Sequence, residues 1–177
     1  MKDYQKILVW IGYVGVMAWR CFPGNWWWWV MGMVLAECLW WMDRLLYVWW
    51  LKPFEQLSIQ VQYWWQRRDF NAVIKLLRER GGEQTRLIFR SVGFAFVWLF
   101  LVIYVLTSTG SVTAVGMVMG LGLWLTWDIV TDWKQPARLG KWFCWQIKRS
   151  MSEKEIRIVS TFYLAAWVGV NVLLFLK

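Results

Sequence analysis

Histidine occurs nowhere in the 177 residues. Its absence removes His-based triads, facial-triad iron, most catalytic zinc sites and axial haem histidines. Cysteine is scarce, with three scattered residues and no CxxC pair. Cys21 falls on the outer side of the topology derived below, Cys38 within an apolar run and Cys144 on an amphipathic stretch, so no intrachain disulfide is expected. A P-loop, a GxGxxG and a G-x-S-x-G are also missing. The sequence therefore assigns no catalytic, metal or cofactor-binding residue and no cofactor, and the chain is not expected to be an enzyme. Charge is low as well: 18% of residues are charged and 59% hydrophobic, against about 25% and about 45–50% in soluble domains. That balance argues against a water-soluble fold, a disordered tail and a disulfide-rich secreted module.

What is present is apolar and aromatic, including nineteen tryptophans. Five stretches read as membrane helices: residues 4–19, 26–42, 87–107, 112–130 and 158–176. At about 1.5 Å per residue the last three cover roughly 28–31 Å, the thickness of a hydrocarbon core of about 30 Å. The first two reach roughly 24–26 Å, unless residues 45–51 continue the second. The first reads as a retained helix, because its flank (Lys2, Asp3, Lys6) is weakly basic and no small-x-small cleavage site follows. The expected fold class is all-α: a polytopic integral membrane helical bundle forming one domain over residues 1–177.

The basic residues sort to one side. Those from Lys52 to Arg90 and from Lys134 to Arg157, with Lys2 and Lys6, make up seventeen of the twenty. Positive-inside bias then puts the N-terminus and both long loops in the cytoplasm and the C-terminus outside, across a plasma membrane read as a bacterial inner membrane. This bias accounts for the net charge of +9 without nucleic acid, for which no reading motif is present. The expected partners are a bilayer with anionic headgroups on the cytoplasmic side and a protein partner or a second copy of the chain.

Both long loops carry structure. In the first, residues 54–80, Asp69 caps a helix from Phe70 to Arg80, and Gly81-Gly82 ends it where a left-handed residue is wanted. The preceding residues 57–63 fit a strand or a helix, and a helix is preferred because a lone strand has no partner. The second, residues 136–150, starts at Pro136 and sets Leu139, Trp142, Phe143 and Ile147 opposite Arg138, Lys141, Lys148 and Arg149. Such segments either lie in the headgroup plane or pack against neighbouring spans. Ser152 and Glu155 form a capping box opening the last helix.

Ionisable groups within spans are costly and point to function by default. If the third and fourth spans turn at Gly110, Arg90 faces Asp128 and Arg86 faces Asp132, two structural ion pairs in one register. In the first hairpin Glu37 comes level with Leu8, within reach of a snorkelling Lys6. Glu37 and Asn171 are the candidate intramembrane functional residues, although Asn171 also suits helix–helix adhesion. Gly116 and Gly120 form a GxxxG pattern for close packing, within the chain or between subunits.

Three functions follow. The leading one is an interaction element: a scaffold or accessory subunit at the membrane. The second is a small transporter or homo-oligomeric channel using Glu37. The third is a membrane enzyme acting on lipid-like substrates through Asp128 and Asp132. The tryptophans fall mainly at the two interfaces, where an amphipathic indole is favoured: Trp19 and residues 26–29 outside, with the larger share, including Trp40, on the cytoplasmic side.

Overall fold

A computed structural model describes residues 3–81, 84–149 and 151–176, apart from the side chains of residues 3–6 and 21. The described residues form helices and no strand. Helices α1 (Asp3–Cys21) and α2 (Trp26–Leu46) make a first hairpin, and α2 runs on into a wider π turn at Tyr47–Leu51. Short helices α3 (Gln56–Gln66) and α4 (Phe70–Glu79) follow. A second long hairpin pairs α5 (Val92–Ser108) with α6 (Val112–Asp132), and α7 (Pro136–Phe143) leads to the final α8 (Glu153–Leu176).

The helix starts follow from side chains that satisfy otherwise orphaned N–H groups. Asp69 accepts from Ala72, Ser91 from Phe94 and Ser111 from Ala114. Pro136 occupies the first turn of α7, where its missing N–H costs nothing. Ahead of α8 the box is reciprocal: Glu155 N–H donates to Ser152 Oγ at 3.3 Å and Ser152 N–H to Glu155 Oε2 at 2.8 Å. The left-handed residue in this part of the chain is Arg68, at φ 58°, between α3 and α4. Gly81 is not left-handed, contrary to the spacing-based expectation; α4 closes through Arg80 at φ −106°. Gly82 lies outside the described residues.

The five long helices of the described residues alternate in direction along the chain, with α2, α5 and α8 packed on α6. Antiparallel α5 sets Arg90 beside Asp128 and Trp98 beside Gly122. Antiparallel α8 sets Tyr163 against Gly122, with its hydroxyl donating to the Gly122 carbonyl at 3.0 Å. Between α1 and α8, Tyr13 Oη donates to Asn171 Oδ1 at 2.7 Å and Arg20 lies over the Phe175 ring. In the middle of α6 every residue from Val118 to Leu123 is buried, as expected of a helix apolar all round.

The closest approach is between α2 and α6, which run parallel. The buried stripe of α2, Trp29, Gly32, Met33, Ala36, Trp40 and Asp43, repeats every three or four residues and so lies on one helix face. Gly32 meets Gly116 so closely that a Cβ on Gly32 would collide with the Thr113 carbonyl oxygen. A Cβ on Gly116 would come within 2.5 Å of the Trp29 carbonyl oxygen, and one on Gly120 within 2.6 Å of Ala36 Cβ. The Gly116/Gly120 pattern thus packs within the chain. Gly122 serves the other side of α6, where Trp98 fills the groove and donates from Nε1 to Val118 O at 2.8 Å.

Among the described residues two helices are long and apolar enough to cross a membrane, Val112–Asp132 and Glu153–Leu176. The count of five read from sequence is not reached on that criterion. The apolar helices Ile7–Arg20 and Val92–Ser108 are shorter, and the 17 residues of α5 cover about 26 Å at the helical rise. The expected third span shortens because residues 84–91 do not join α5; they are held in a loop by Asp43, as described below. In α2, four consecutive tryptophans open a helix of 21 residues. Trp29 and Trp40 face the core of the bundle, with Trp29 fully buried and stacked on Phe22.

The amphipathic segments divide. The apolar face of α7 turns inward: Leu139 and Phe143 are buried, and Gly140 abuts Ile156. Helices α3 and α4 build a small second core of Leu57, Val61, Val73 and Leu77 on Val48, yet leave Trp50 82% and Phe54 91% exposed.

Overpacking the α2–α6 crossing should be costly. Gly32→Ala is expected to destabilise the solubilised protein by about 1–3 kcal/mol, whereas Gly12→Ala, with nothing within 4 Å of its Cβ position, should stay within roughly 0.5 kcal/mol of wild type. Thermal unfolding of the two variants checks this; equal effects would contradict the crossing.

Candidate functional site

The ends of α2 and α6 that lie beyond their glycine crossing meet the α4–α5 connection and α7. Asp43, one turn from the end of α2, is 1% exposed. Its two carboxylate oxygens accept the backbone N–H groups of Ile88 and Phe89 at 3.0 and 2.9 Å. A buried carboxylate requires such donors. These two bonds fix the loop just ahead of Ser91, whose Oγ donates to Ile88 O at 2.7 Å while capping α5. The neighbouring Arg44 points the other way: Nη1 donates to the Leu77 carbonyl at 3.0 Å in the last turn of α4, where a cation complements the exposed carbonyls. Gly81 leaves room for it, since a Cβ there would lie 3.1 Å from Nη1. Gln84 Nε2 donates to Arg44 O at 3.4 Å. Adjacent residues of α2 thus hold both ends of the α4–α5 connection.

Arg90 Nε lies 3.0 Å from Asp128 Oδ2, with both side chains about 85% buried, and its guanidinium sits 5.1 Å over the Trp40 ring. Asp132, one turn further along α6, meets Arg138 Nε at 3.4 Å and accepts from Trp142 Nε1 at 2.8 Å. The Arg86–Asp132 pair of the hairpin register does not form. Arg86 and Arg90 both precede α5 in a non-helical segment, so they do not share a helix face, and Asp132 is taken by α7 instead. Arg86 is exposed and lies in the field of Glu55. Burial pushes the Glu55 carboxyl up, but hydrogen bonds from Tyr47 and Lys52 and the charges of Lys52 and Arg86 bring it below 4.5.

These groups line a cavity of about 450 Å³. Among the described residues its wall carries Arg44, Arg78, Arg90, Arg138 and Lys141 together with the carboxylates of Asp128 and Asp132, and Arg44 also lies in the fields of Glu37 and Asp43. Gln84, Thr85 and Thr131 add neutral polar groups. Among the described residues no three His, Cys, Asp or Glu side chains come together as a metal site.

The other sequence candidates lie elsewhere. Glu37 is half-buried in a cleft of about 250 Å³ with Ile7, Trp10, Val34 and Trp124, and accepts from Trp41 Nε1 at 2.9 Å. The Lys6 side chain proposed to reach it is outside the described residues. Asn171 accepts from Tyr13 and donates to Trp167 O at 2.8 Å, linking α8 to α1. Cys144 is buried, which pushes its thiol above the ordinary value of 9.0, and Cys38 is exposed.

The sequence pattern counts Arg78 only toward orientation and places Lys141 on the polar face of the 136–150 segment, and the anchoring by Asp43 is not read from it. The available signal was an Asp-Arg pair closing an apolar helix, since a carboxylate placed there needs donors from another segment.

No family model, curated protein or solved structure matches the chain.

The Arg90–Asp128 contact is open to a double-mutant test. Arg90→Ala should cost about 3–5 kcal/mol by removing the guanidinium that lies 3.0 Å from the largely buried Asp128 carboxylate. The reversed pair Arg90→Asp/Asp128→Arg should recover part of that loss in denaturant unfolding. A reversal that adds to the damage would contradict the pairing.

Proposed function

We propose that the chain is a five-span membrane protein of the bacterial plasma membrane that works as an interaction element, a scaffold or accessory subunit held against the cytoplasmic leaflet. The observation that carries this reading is the polarity of the bundle. Helices α1, α5 and α8 run one way and α2 and α6 the other, so the uncharged turn at Thr109–Ser111 and the turn at residues 22–25 share one end. The other end gathers both long basic loops, as cytoplasmic loops do under positive-inside bias. The exposed side chains of α1, α5 and α8 are largely apolar, among them Ile7, Phe100, Ile103 and Leu173, which suits lipid better than water.

The interaction role is supported by what the basic end presents. Trp50 and Phe54 project from the turn leading into α3, with Arg67 and Arg68 exposed at the end of that helix. Aromatic tips beside cations are the make-up of a surface that enters the headgroup region. The inward-facing α7 then serves as a brace between α6 and α8, leaving the α3–α4 hairpin as the leaflet-contacting element. The rest of the chemistry is consistent with a passive role: the acids near the membrane boundary, Asp43, Asp128 and Asp132, each meet a donor or cation of the same chain.

Single cysteines in a background lacking Cys21, Cys38 and Cys144 test the topology. A cysteine at Gly110 should react with a membrane-impermeant maleimide on intact cells, and one at Gln66 only after permeabilisation. Labelling of both from the same side would overturn the spanning reading. The interaction role predicts a defined oligomer or a stoichiometric second polypeptide after extraction in mild detergent. A monodisperse single copy would overturn it.

A further inference from the structure

Between α1 and α8, in the half of the bundle that holds the hairpin turns, lies a groove of about 370 Å³. Tyr13 of α1 and Val168, Asn171, Val172 and Phe175 of α8 line it, together with the buried Leu123 of α6. Its polar groups serve the fold. Asn171 accepts from Tyr13 at 2.7 Å and donates to the Trp167 carbonyl at 2.8 Å. A ligand therefore meets mainly hydrocarbon and ring surface, and Val168, Val172, Phe175 and Leu176 are exposed along it. Val168 and Leu176 are eight residues apart, which is about 12 Å at the helical rise. That is less than half of a hydrocarbon core of about 30 Å, the depth reached by the chains of one leaflet rather than a passage through both.

A cation stands beside the groove. Arg20, in the last turn of α1, holds its guanidinium 5.6 Å over the ring of Phe175. Among the described residues it makes no ion pair and no side-chain hydrogen bond. No Asp or Glu occurs in residues 7–36, 92–127 or 158–176, so the parts of the five long helices that reach this end carry no acidic side chain. Trp19, Trp26, Trp27 and Trp28 are exposed at the same end, where an indole belt marks the headgroup level of a span. A guanidinium at that level matches the oxygens of a phosphate. With an apolar groove next to it, the two features suit the two parts of one molecule, a phosphate group and an alkyl chain.

We propose that the groove between α1 and α8 holds one acyl chain of an anionic phospholipid of the outer leaflet, with Arg20 paired to the lipid's phosphate. A zwitterionic lipid fills the groove less well, because its own ammonium competes with Arg20 for the phosphate. Such a lipid site rests on the spanning arrangement proposed above and is independent of the interaction role.

The test uses the full-length protein in phosphatidylcholine nanodiscs that contain, at equal mole fraction, a phosphatidylglycerol or a phosphatidylcholine with a diazirine in its acyl chain. After irradiation, adducts are mapped by mass spectrometry at the groove (Tyr13 and residues 168–176) and at Phe96 and Phe100, exposed on α5, as the reference for bulk lipid. Normalised to α5, the groove should take up about fivefold more of the phosphatidylglycerol probe, the enrichment that one basic residue supplies near an anionic surface. Arg20→Gln, at an exposed position, should bring that ratio to one and leave the α5 adducts unchanged. Val172→Trp, which fills the groove from a half-exposed position, should do the same without lowering the melting temperature. A wild-type ratio of one, or a ratio that survives either substitution, would overturn the proposal. Protection of the groove from both probes while α5 is labelled would assign it to a protein partner and also overturn it. No adduct on α5 with either probe would remove the spanning arrangement and this site with it, whereas adducts on α5 without enrichment in the groove remove the site alone.

Discussion

The parallel contact of α2 with α6 is the constraint from which the rest of the architecture follows. Two helices approach so closely only where neither carries a side chain at the crossing, and Gly32, Gly116 and Gly120 with Ala36 supply that gap. In lipid there is no hydrophobic drive between helices, and dispersion contacts between closely fitted surfaces do the work instead. Close approach also brings the ends of the two helices level. It sets Trp40 under Arg90 and Arg90 against Asp128, and it allows Asp43 to catch the backbone ahead of α5. Moved apart by the width of a leucine, the helices would lose that register together with the cavity beyond it.

The two ends of the bundle differ in kind. At the end of the hairpin turns, α5 and α6 are joined by three residues without charge, and the contacts there are apolar or aromatic. At the other end, polar groups bridge segments far apart in sequence: Asp43 to Phe89, Arg44 to Leu77, Asp132 to Trp142 and Trp145 to Leu87. These bonds surround a cavity lined by arginines, Lys141 and the two carboxylates at the end of α6. The proposed leaflet contact falls at this end, where the basic loops gather.

Much of the helical layout was legible in the sequence because it is written locally. Asp69, Ser91, Ser111 and Ser152 each stand ahead of an apolar run and cap it. The short turn at Gly110 places Arg90 opposite Asp128 by counting residues. What depends on helix rotation was not legible. Nothing in the run of residues 26–29 marks Trp29 as the one indole that faces inward, and the complementary partner of the GxxxG pattern, Gly32, lies in a helix that composition marks as aromatic. The start of α5 was misread by five residues because Leu87, Ile88 and Phe89 are as apolar as the helix they precede. Only the acceptor on Asp43, brought in by the α2–α6 contact, holds them out of it. The cavity was hidden for the same reason: its cations come from α2, α4, α7 and the residue ahead of α5, and each looks like an ordinary flanking charge until packing brings them together.

The α2–α6 contact can be tested with one cross-link. In a protein with Cys21, Cys38 and Cys144 replaced by serine, Ala36→Cys and Gly120→Cys introduce side chains where a Cβ on residue 120 would lie 2.6 Å from that of residue 36, so the helices must part by about 1 Å to reach a disulfide's roughly 3.8 Å. Mild oxidation should give an intramolecular bond, seen as a monomer of altered mobility on non-reducing gels and as loss of both free thiols. A covalent dimer, or two thiols that stay free under oxidation, would contradict the account.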